Sequence, residues 1–290
     1  MALIFIAVIA RILSNAASNV FQKRLTGFGV APFQVNLVSY GALSVIGMFF
    51  LCANLPDELP MRYWIFSLLS GLTGALGNGF IVKALEKGEL SVMGPINAYK
   101  PVVGMVTSFL LARELPNSFG LAGVALIILG SYFVLDATQE RFSWTLLRNR
   151  AIQYRIAALL LTGIQAVIDK EIIRASNLGM AFFSWSFFGL LFTYLMWTYT
   201  GKNGTQPVGR SLRLHRLDYL LLVICTGTMV YSTNITFSSM PVGEALALFQ
   251  LSGILTVYWG YRFFREGQLI RKLVGAGFMA AGAALILLHT

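Results

Sequence analysis

Acidic side chains are scarce in this chain: twelve Asp and Glu stand against twenty-two Lys and Arg, and none occurs before Asp57. Cysteine and histidine are scarcer still. Cys52 and Cys225 both fall inside apolar runs, and the only histidines are His215 and His289. Without a CxxC or a Cys/His cluster at ligand spacing, no disulfide framework, structural metal or cofactor is expected. A GxxxxGK[ST] loop is also missing, so ATP hydrolysis by the chain itself is not expected. Both histidines lie at edges of apolar runs, and no paired acids sit at depth in one. An intramembrane enzyme would therefore lack its nucleophile–base or acid–base pair. No polar stretch is long enough to build a separate soluble domain.

What is present is apolar. The hydrophobic fraction is 57%, charged residues make up 12%, and the mean hydropathy is +0.71, which together mark an integral membrane protein. Trp and Tyr often fall near the ends of apolar runs, as interfacial anchors do. The net charge of +10 would suggest nucleic acid in a soluble protein. Here the basic residues lie in short connections, where they set topology and meet anionic lipid headgroups, and no basic domain exists to hold nucleic acid. The N-terminal MALIFIAVIA lacks a basic leader, and its apolar run continues to Val20 with only Arg11 inside. It reads as a first membrane span and not as a cleaved signal.

Ten spans are predicted, at about 3–22, 33–53, 63–82, 91–112, 117–136, 156–175, 179–200, 217–238, 243–263 and 270–289. The connections are short except Asp136 to Arg155 and Thr200 to Arg216. Sixteen Lys and Arg, Arg155 among them, fall in odd-numbered connections. Only Arg62, Arg113, Lys170 and Arg174 fall in even-numbered ones. This bias puts the odd connections in the cytoplasm and both termini outside, in a cell (inner) membrane. Asn203-Gly204-Thr205, formally a glycosylation sequon, then lies in the cytoplasm and reads as a turn.

Five spans followed by five invite a search for a repeat. A shift of 152 residues pairs LLARELPNSFGLAGVALIILGSYFVL (110–135) with RFFREGQLIRKLVGAGFMAAGAALILL (262–288). Arg113-Glu114 falls on Arg265-Glu266, Gly123 on Gly275 and Gly130 on Gly282. A weaker pairing sets VFQK (20–23) against VIDK (167–170). The implied division is 1–138, a basic connecting loop over 139–155, and 156–290. With an odd number of spans in each half, the copies sit upside down relative to each other. The expected fold is all-α, ten transmembrane helices as two inverted five-helix repeats, with a site near the midplane between them.

At this point the chain resembles the EamA branch of the drug/metabolite transporter superfamily. The features that carry the likeness are ten spans in two copies and, in each, Arg-Glu followed by Gly nine and sixteen residues on. The resemblance covers nearly the whole chain. It implies a ten-helix basket around a cavity lined mainly by spans 1, 3, 4, 6, 8 and 9, moving a small organic metabolite whose identity it leaves open. Small multidrug antiporters of that superfamily use a carboxylate in span 1. Span 1 has none here, which disfavours a cationic-drug pump.

The stretch from Gly88 to Glu114 organises the functional reading. Lys100 sits nine residues into the expected span 91–112, about 14 Å deep at 1.5 Å per residue. A charge there costs at least about 2.5 kcal/mol, so it should face protein, water or a ligand. Asn97, Lys100, Gly104 and Ser108 share one helical face, and Pro95 and Pro101 each remove a backbone donor. Lys100 has no twin, because the repeat shift sets Ser252 opposite it. It reads either as the cation that holds a substrate's carboxylate or phosphate, or as the partner of an internal carboxylate such as Glu244.

Candidates for hydrogen bonds to a ligand are Asn97, Tyr99, Asn78, Asn234 and Gln250, each weighed against helix packing. Asp169 and Glu244 are candidates for coupling or gating, with the cluster Asp169-Lys170-Glu171 and Arg174 read first as interfacial charge. Glu114 and Glu266, present in both copies, read as architecture. The expectation is a secondary transporter of a small anionic or zwitterionic metabolite, working by alternating access in a lipid bilayer, with a proton or an exchanged metabolite as coupling partner. The alternative is a facilitator for neutral solutes in which Lys100 is locked to Glu244.

Overall fold

The computed structural model describes residues 2–54, 56, 58–87, 96, 99–113, 117–136, 148–199, 207–264, 274–275, 277–282 and 284–285. Among them the chain is helical throughout: α1 (Ala2–Gly27), α2 (Pro32–Asn54), α3 (Met61–Lys87), α4 (Lys100–Ala112), α5 (Ser118–Asp136), α6 (Arg150–Ala175), α7 (Leu178–Tyr199), α8 (Val208–Leu214), α9 (Arg216–Ser239), α10 (Val242–Phe249) and α11 (Ser252–Phe264). Helix α1, residues Pro32–Ala53 of α2, residues Met61–Glu86 of α3, α7 and α9 are long and apolar enough to cross a bilayer. Their outward faces are greasy. Phe49 is 73% exposed and Leu217 67%, a pattern that water would penalise and lipid accepts.

Small residues let the central helices approach closely. A Cβ on Gly71 of α3 would lie 2.4 Å from Cβ of Phe188 on α7, and one on Gly77 would lie 2.6 Å from the Thr162 methyl on α6. Ser184 of α7 donates to the Ser67 hydroxyl of α3 at 2.5 Å, and Ser18 of α1 bonds Thr226 of α9 at 3.2 Å. Close backbones and hydrogen bonds across helices replace the water-driven packing that lipid cannot supply. At the far side, a Cβ on Gly130 of α5 would sit 2.5 Å from the Gly275 carbonyl, and one on Gly282 would sit 2.5 Å from the Gly123 carbonyl.

Two expected spans are not continuous helices. Over the fourth, Tyr99 forms a turn and α4 starts at Lys100. Pro101 stands in the first turn, where its missing N–H costs nothing, so the proline starts a helix and does not pass through one. Lys100 therefore lies at a helix start, not nine residues into a continuous span. Residues 91–95, 97 and 98 of that span fall outside the described residues. The ninth span breaks at Gln250 and Leu251, between α10 and α11. There the last N–H groups of α10 tighten to three-residue turns, Gln250 N–H to Ala247 O (3.0 Å) and Leu251 N–H to Leu248 O (3.1 Å). Side chains then occupy carbonyls near the break: Gln250 Nε2 donates to Leu246 O (3.0 Å) and Ser252 Oγ to Phe249 O (2.7 Å).

The two restarts match. Helices α4 and α11 are each 13 residues long and begin at Lys100 and Ser252, 152 residues apart. Val102 N–H donates to Tyr99 O and Ile254 N–H to Leu251 O, both at 3.1 Å. The short α8, within the long seventh connection, has no counterpart among the sequence expectations.

Helix α4 ends with Arg113 in the left-handed region (φ 54°, ψ 28°), its N–H capping the Phe109 and Ser108 carbonyls. For a residue with a Cβ this conformation costs roughly 1–2 kcal/mol, and glycine avoids most of that. Arg113→Gly is expected to raise the thermal midpoint of the detergent-purified protein slightly. A fall would mean that the arginine side chain contributes more than the backbone loses.

Candidate functional site

A cavity of about 110 Å³ lies among α1, α3, α4, α6, α7, α9 and α10. It draws on the six spans that the family resemblance implies, with Trp185 of the seventh added. Its described charged lining consists of Arg11 from α1, Lys100 from α4, and Arg155 and Asp169 from α6. Amides fill much of the remaining wall: Asn15 and Asn19, Asn78, Gln165 and Asn234.

Several of these polar groups are held by hydrogen bonds to neighbouring helices. Asn78 Nδ2 donates to the Tyr40 hydroxyl (2.8 Å) and to Gly74 O (2.9 Å), and the Tyr40 ring packs on Trp185 with centroids 4.6 Å apart. Asn15 Nδ2 donates to Ser252 Oγ at 2.8 Å, which ties α1 to the start of α11. Asp169 accepts a hydrogen bond from Ser70 Oγ of α3. Gly163 of α6 lies against α4 beside the stem of Lys100, and a Cβ there would come 2.7 Å from a Val103 methyl carbon. Only glycine leaves α6 that close to α4 at this level.

Arg11 is the unusual member. Its Nε and Nη1 are buried without a hydrogen-bond partner, and its guanidinium carbon lies 4.7 Å from the centroid of the Phe249 ring. The aromatic face offsets part of the charge, worth about 0.5–2 kcal/mol. That is small against the several kcal/mol that burying an ion costs. Gln165 Nε2, in the same wall, is also buried and unpartnered.

The structure thus brings together Lys100, Asn78, Asn234 and Asp169 from among the sequence candidates. Asn234 is 4% exposed and spends an N–H on Leu178 O at 3.4 Å. Tyr99 is exposed and does not line the cavity. Gln250 is buried but turned to its own helix through Leu246 O. Glu244, 2% exposed on α10, is not in the lining, and among the described residues no ion pair joins it to Lys100. Asn97, Glu114 and Glu266 lie outside the described residues. No three His, Cys, Asp or Glu side chains converge on a metal site among the described residues.

Two site residues escaped the sequence reading. Arg155 was counted as a loop charge, yet it is 6% exposed on α6 and faces the cavity. Removing it leaves fifteen cations against four, so the orientation argument keeps its sign. Arg11 carried the signal that singled out Lys100, a lone charge deep in an apolar run, and the same reasoning applied to it would have found it. Lys170, counted in an even connection, is also buried and donates to Met240 O at 3.1 Å.

Membrane-crossing helices around a charged, amide-lined cavity define a multi-pass membrane protein with an internal polar site. Residues 2–136 match the EamA-like transporter family. That match, over nearly half of the chain, supports an EamA-type member of the drug/metabolite transporter superfamily. No curated protein matches its sequence. Among solved structures, one crystal structure of a protein aligns over 98% of this chain and 96% of its own, with a TM-score of 0.74 and 17% identity. That likeness concerns the fold alone.

Proposed function

We propose that the protein is a secondary active transporter that moves a small anionic or zwitterionic metabolite across a cell (inner) membrane by alternating access. The observation that carries this reading is the cavity itself, where Lys100 at the restart of α4 meets Arg11, Arg155 and amides from both halves of the chain. Cations in such a site need a counter-charge, and a transported anion supplies one. The two halves, 1–138 and 156–290 with a basic loop over 139–155, are read as inverted repeats of five spans, both termini outside the cytoplasm. Helix restarts 152 residues apart and the mutual glycine contacts of Gly130 and Gly282 support the two-fold relation. Discontinuous helices that meet at a central site are what rocking of two repeats requires.

In this reading Lys100 holds the anionic group, and Asn78 and Asn234 orient the remainder. Asn97, Tyr99 and Gln250 keep only a proposed role in hydrogen bonding the substrate along its path. Asp169 is the coupling candidate, through a proton or an exchanged metabolite. Glu244 is a gating candidate on α10, and Glu114 and Glu266 are architectural. An enzymatic reading gains no support from His215, which stacks on Phe28 with centroids 4.4 Å apart and does not line the cavity.

The test is uptake into proteoliposomes against a panel of anionic, zwitterionic, cationic and neutral metabolites. Lys100→Gln should leave the protein folded and lower uptake of anionic substrates by roughly ten- to a hundredfold, the worth of one charge-assisted hydrogen bond of about 1.5–3 kcal/mol. Unchanged anion uptake by Lys100→Gln, or a preference for cations, would sink the assignment of Lys100.

A further inference from the structure

Two side chains of the cavity wall hold N–H donors with nothing to donate to. Arg11 Nε and Nη1 on α1 and Gln165 Nε2 on α6 are buried without a hydrogen-bond partner, and both residues line the same cavity. A buried donor left open costs about 1–3 kcal/mol, and more when it is charged. The fold nevertheless keeps these donors where they are. Arg11, Asn15 and Asn19 follow at steps of four, so one face of α1 turns all three to the cavity. Phe249 lies 4.7 Å from the guanidinium carbon and offers a ring face, not an acceptor oxygen. Asp169, the carboxylate of the described lining, accepts from Ser70 of α3, and among the described residues it forms no ion pair with Arg11. A Cβ on Gly74 of α3 would stand 2.7 Å from Gln165 Nε2, so that glycine leaves the room the amide occupies.

Donors without acceptors are the complement of an oxyanion. We propose that Arg11 and Gln165 together form an oxyanion subsite of the cavity, which takes a carboxylate or phosphate group of the substrate between α1 and α6. This rests on the reading of an anionic or zwitterionic substrate above and gives that substrate an anchor besides Lys100. The guanidinium brings planar, permanently charged N–H groups that suit either oxyanion, and Gln165 adds a neutral donor. A ligand oxygen that fills these donors recovers desolvation already spent in the empty site, and an analogue that cannot accept leaves them open. The two residues are therefore specificity-determining for the oxyanion group. Arg11 belongs to the first half of the chain and Gln165 to the second, so one bound oxyanion bridges the two.

The experiment measures binding of acetate, methyl phosphate and neutral acetamide to the full-length protein in detergent, with thermal midpoints of the ligand-free protein beside it. Wild-type protein should bind acetate or methyl phosphate at least about tenfold more tightly than acetamide, a gap of about 1.4 kcal/mol. Which of the two wins separates the carboxylate from the phosphate source. Gln165→Met should weaken that oxyanion about three- to tenfold, and Arg11→Met at least about tenfold. Both should raise the ligand-free midpoint, because each replaces an open buried donor by apolar atoms. Arg11→Lys, which keeps the charge but not the planar donor group, should fall between wild type and Arg11→Met. In the double variant Arg11→Met with Gln165→Met, the loss should be smaller than the product of the single losses, because both donors serve one ligand group. Single losses that multiply in full would place the two residues at separate ligand groups and overturn the shared subsite. Undiminished oxyanion affinity in both single variants, with affinity lost in Lys100→Gln, would overturn the proposal and leave the transporter reading standing. Failure of both oxyanions to outbind acetamide in wild-type protein would remove both.

Discussion

Alanine at Gly130 is expected to lower the thermal midpoint of the purified protein, and alanine at Gly282 to lower it by a similar amount. A Cβ at Gly130 would stand 2.5 Å from the Gly275 carbonyl oxygen and 2.8 Å from the Met279 amide nitrogen. At Gly282 it would stand 2.5 Å from the Gly123 carbonyl oxygen, 2.9 Å from Ile127 and 3.0 Å from Leu126. Main chain cannot swing aside as the tip of a lysine can, so the helices must part. Forced insertion into packed contacts costs about 1–3 kcal/mol, against about 0.5–1 kcal/mol that alanine returns in helix propensity. The net loss expected is about 1–2 kcal/mol for alanine, and leucine at either position should prevent a folded product. The two glycines are 152 residues apart, as are their two acceptor glycines. If one substitution is costly and the other harmless, the two-fold reading of the halves fails, because equivalent contacts must carry similar energies.

Much of the frame is legible in the sequence because lipid restricts what a chain can do. Apolar runs of about twenty residues must become helices, and the 152-residue shift finds the same register that the helix restarts show at Lys100 and Ser252. The breaks themselves are harder to read. Pro101 announces one, although a proline is compatible with both a kink and a start. Gln250 and Leu251 announce nothing: no proline or glycine marks the turn, which depends on side chains of Gln250 and Ser252 taking up nearby carbonyls.

Within the site, a lone charge in an apolar run is a dependable sign, and Lys100 is found by it. Arg155 is hidden because it stands one residue before its apolar run, where a snorkelling loop charge and a buried cavity cation look alike. Gln250 shares a polar face with Gly253, Thr256 and Gly260 only in a continuous ninth span; the turn at Gln250 and Leu251 ends that face, and the side chain bonds Leu246 O instead.

Asp169→Asn carries the other large expected effect, with affinity and turnover moving in opposite directions. The carboxylate is the one negative charge in the described lining, opposite three cations. Neutralising it removes that negative charge from the lining, while asparagine can still accept a bond from Ser70. One unit charge a few ångströms from a ligand is worth about 4 kcal/mol at 4 Å and an effective dielectric of 20, and somewhat less at longer range. An anionic substrate should therefore bind at least about tenfold more tightly to Asp169→Asn. Release should slow to match, so maximal transport falls while the half-saturating concentration drops. If Asp169 is also the coupling group, uphill accumulation is lost while exchange of substrate for substrate persists. Parallel uptake and exchange measurements in proteoliposomes read all three quantities. Weaker binding in Asp169→Asn would instead mean that the carboxylate holds a cationic end of the substrate. Asp169 and Lys100 would then grip opposite ends of a zwitterion.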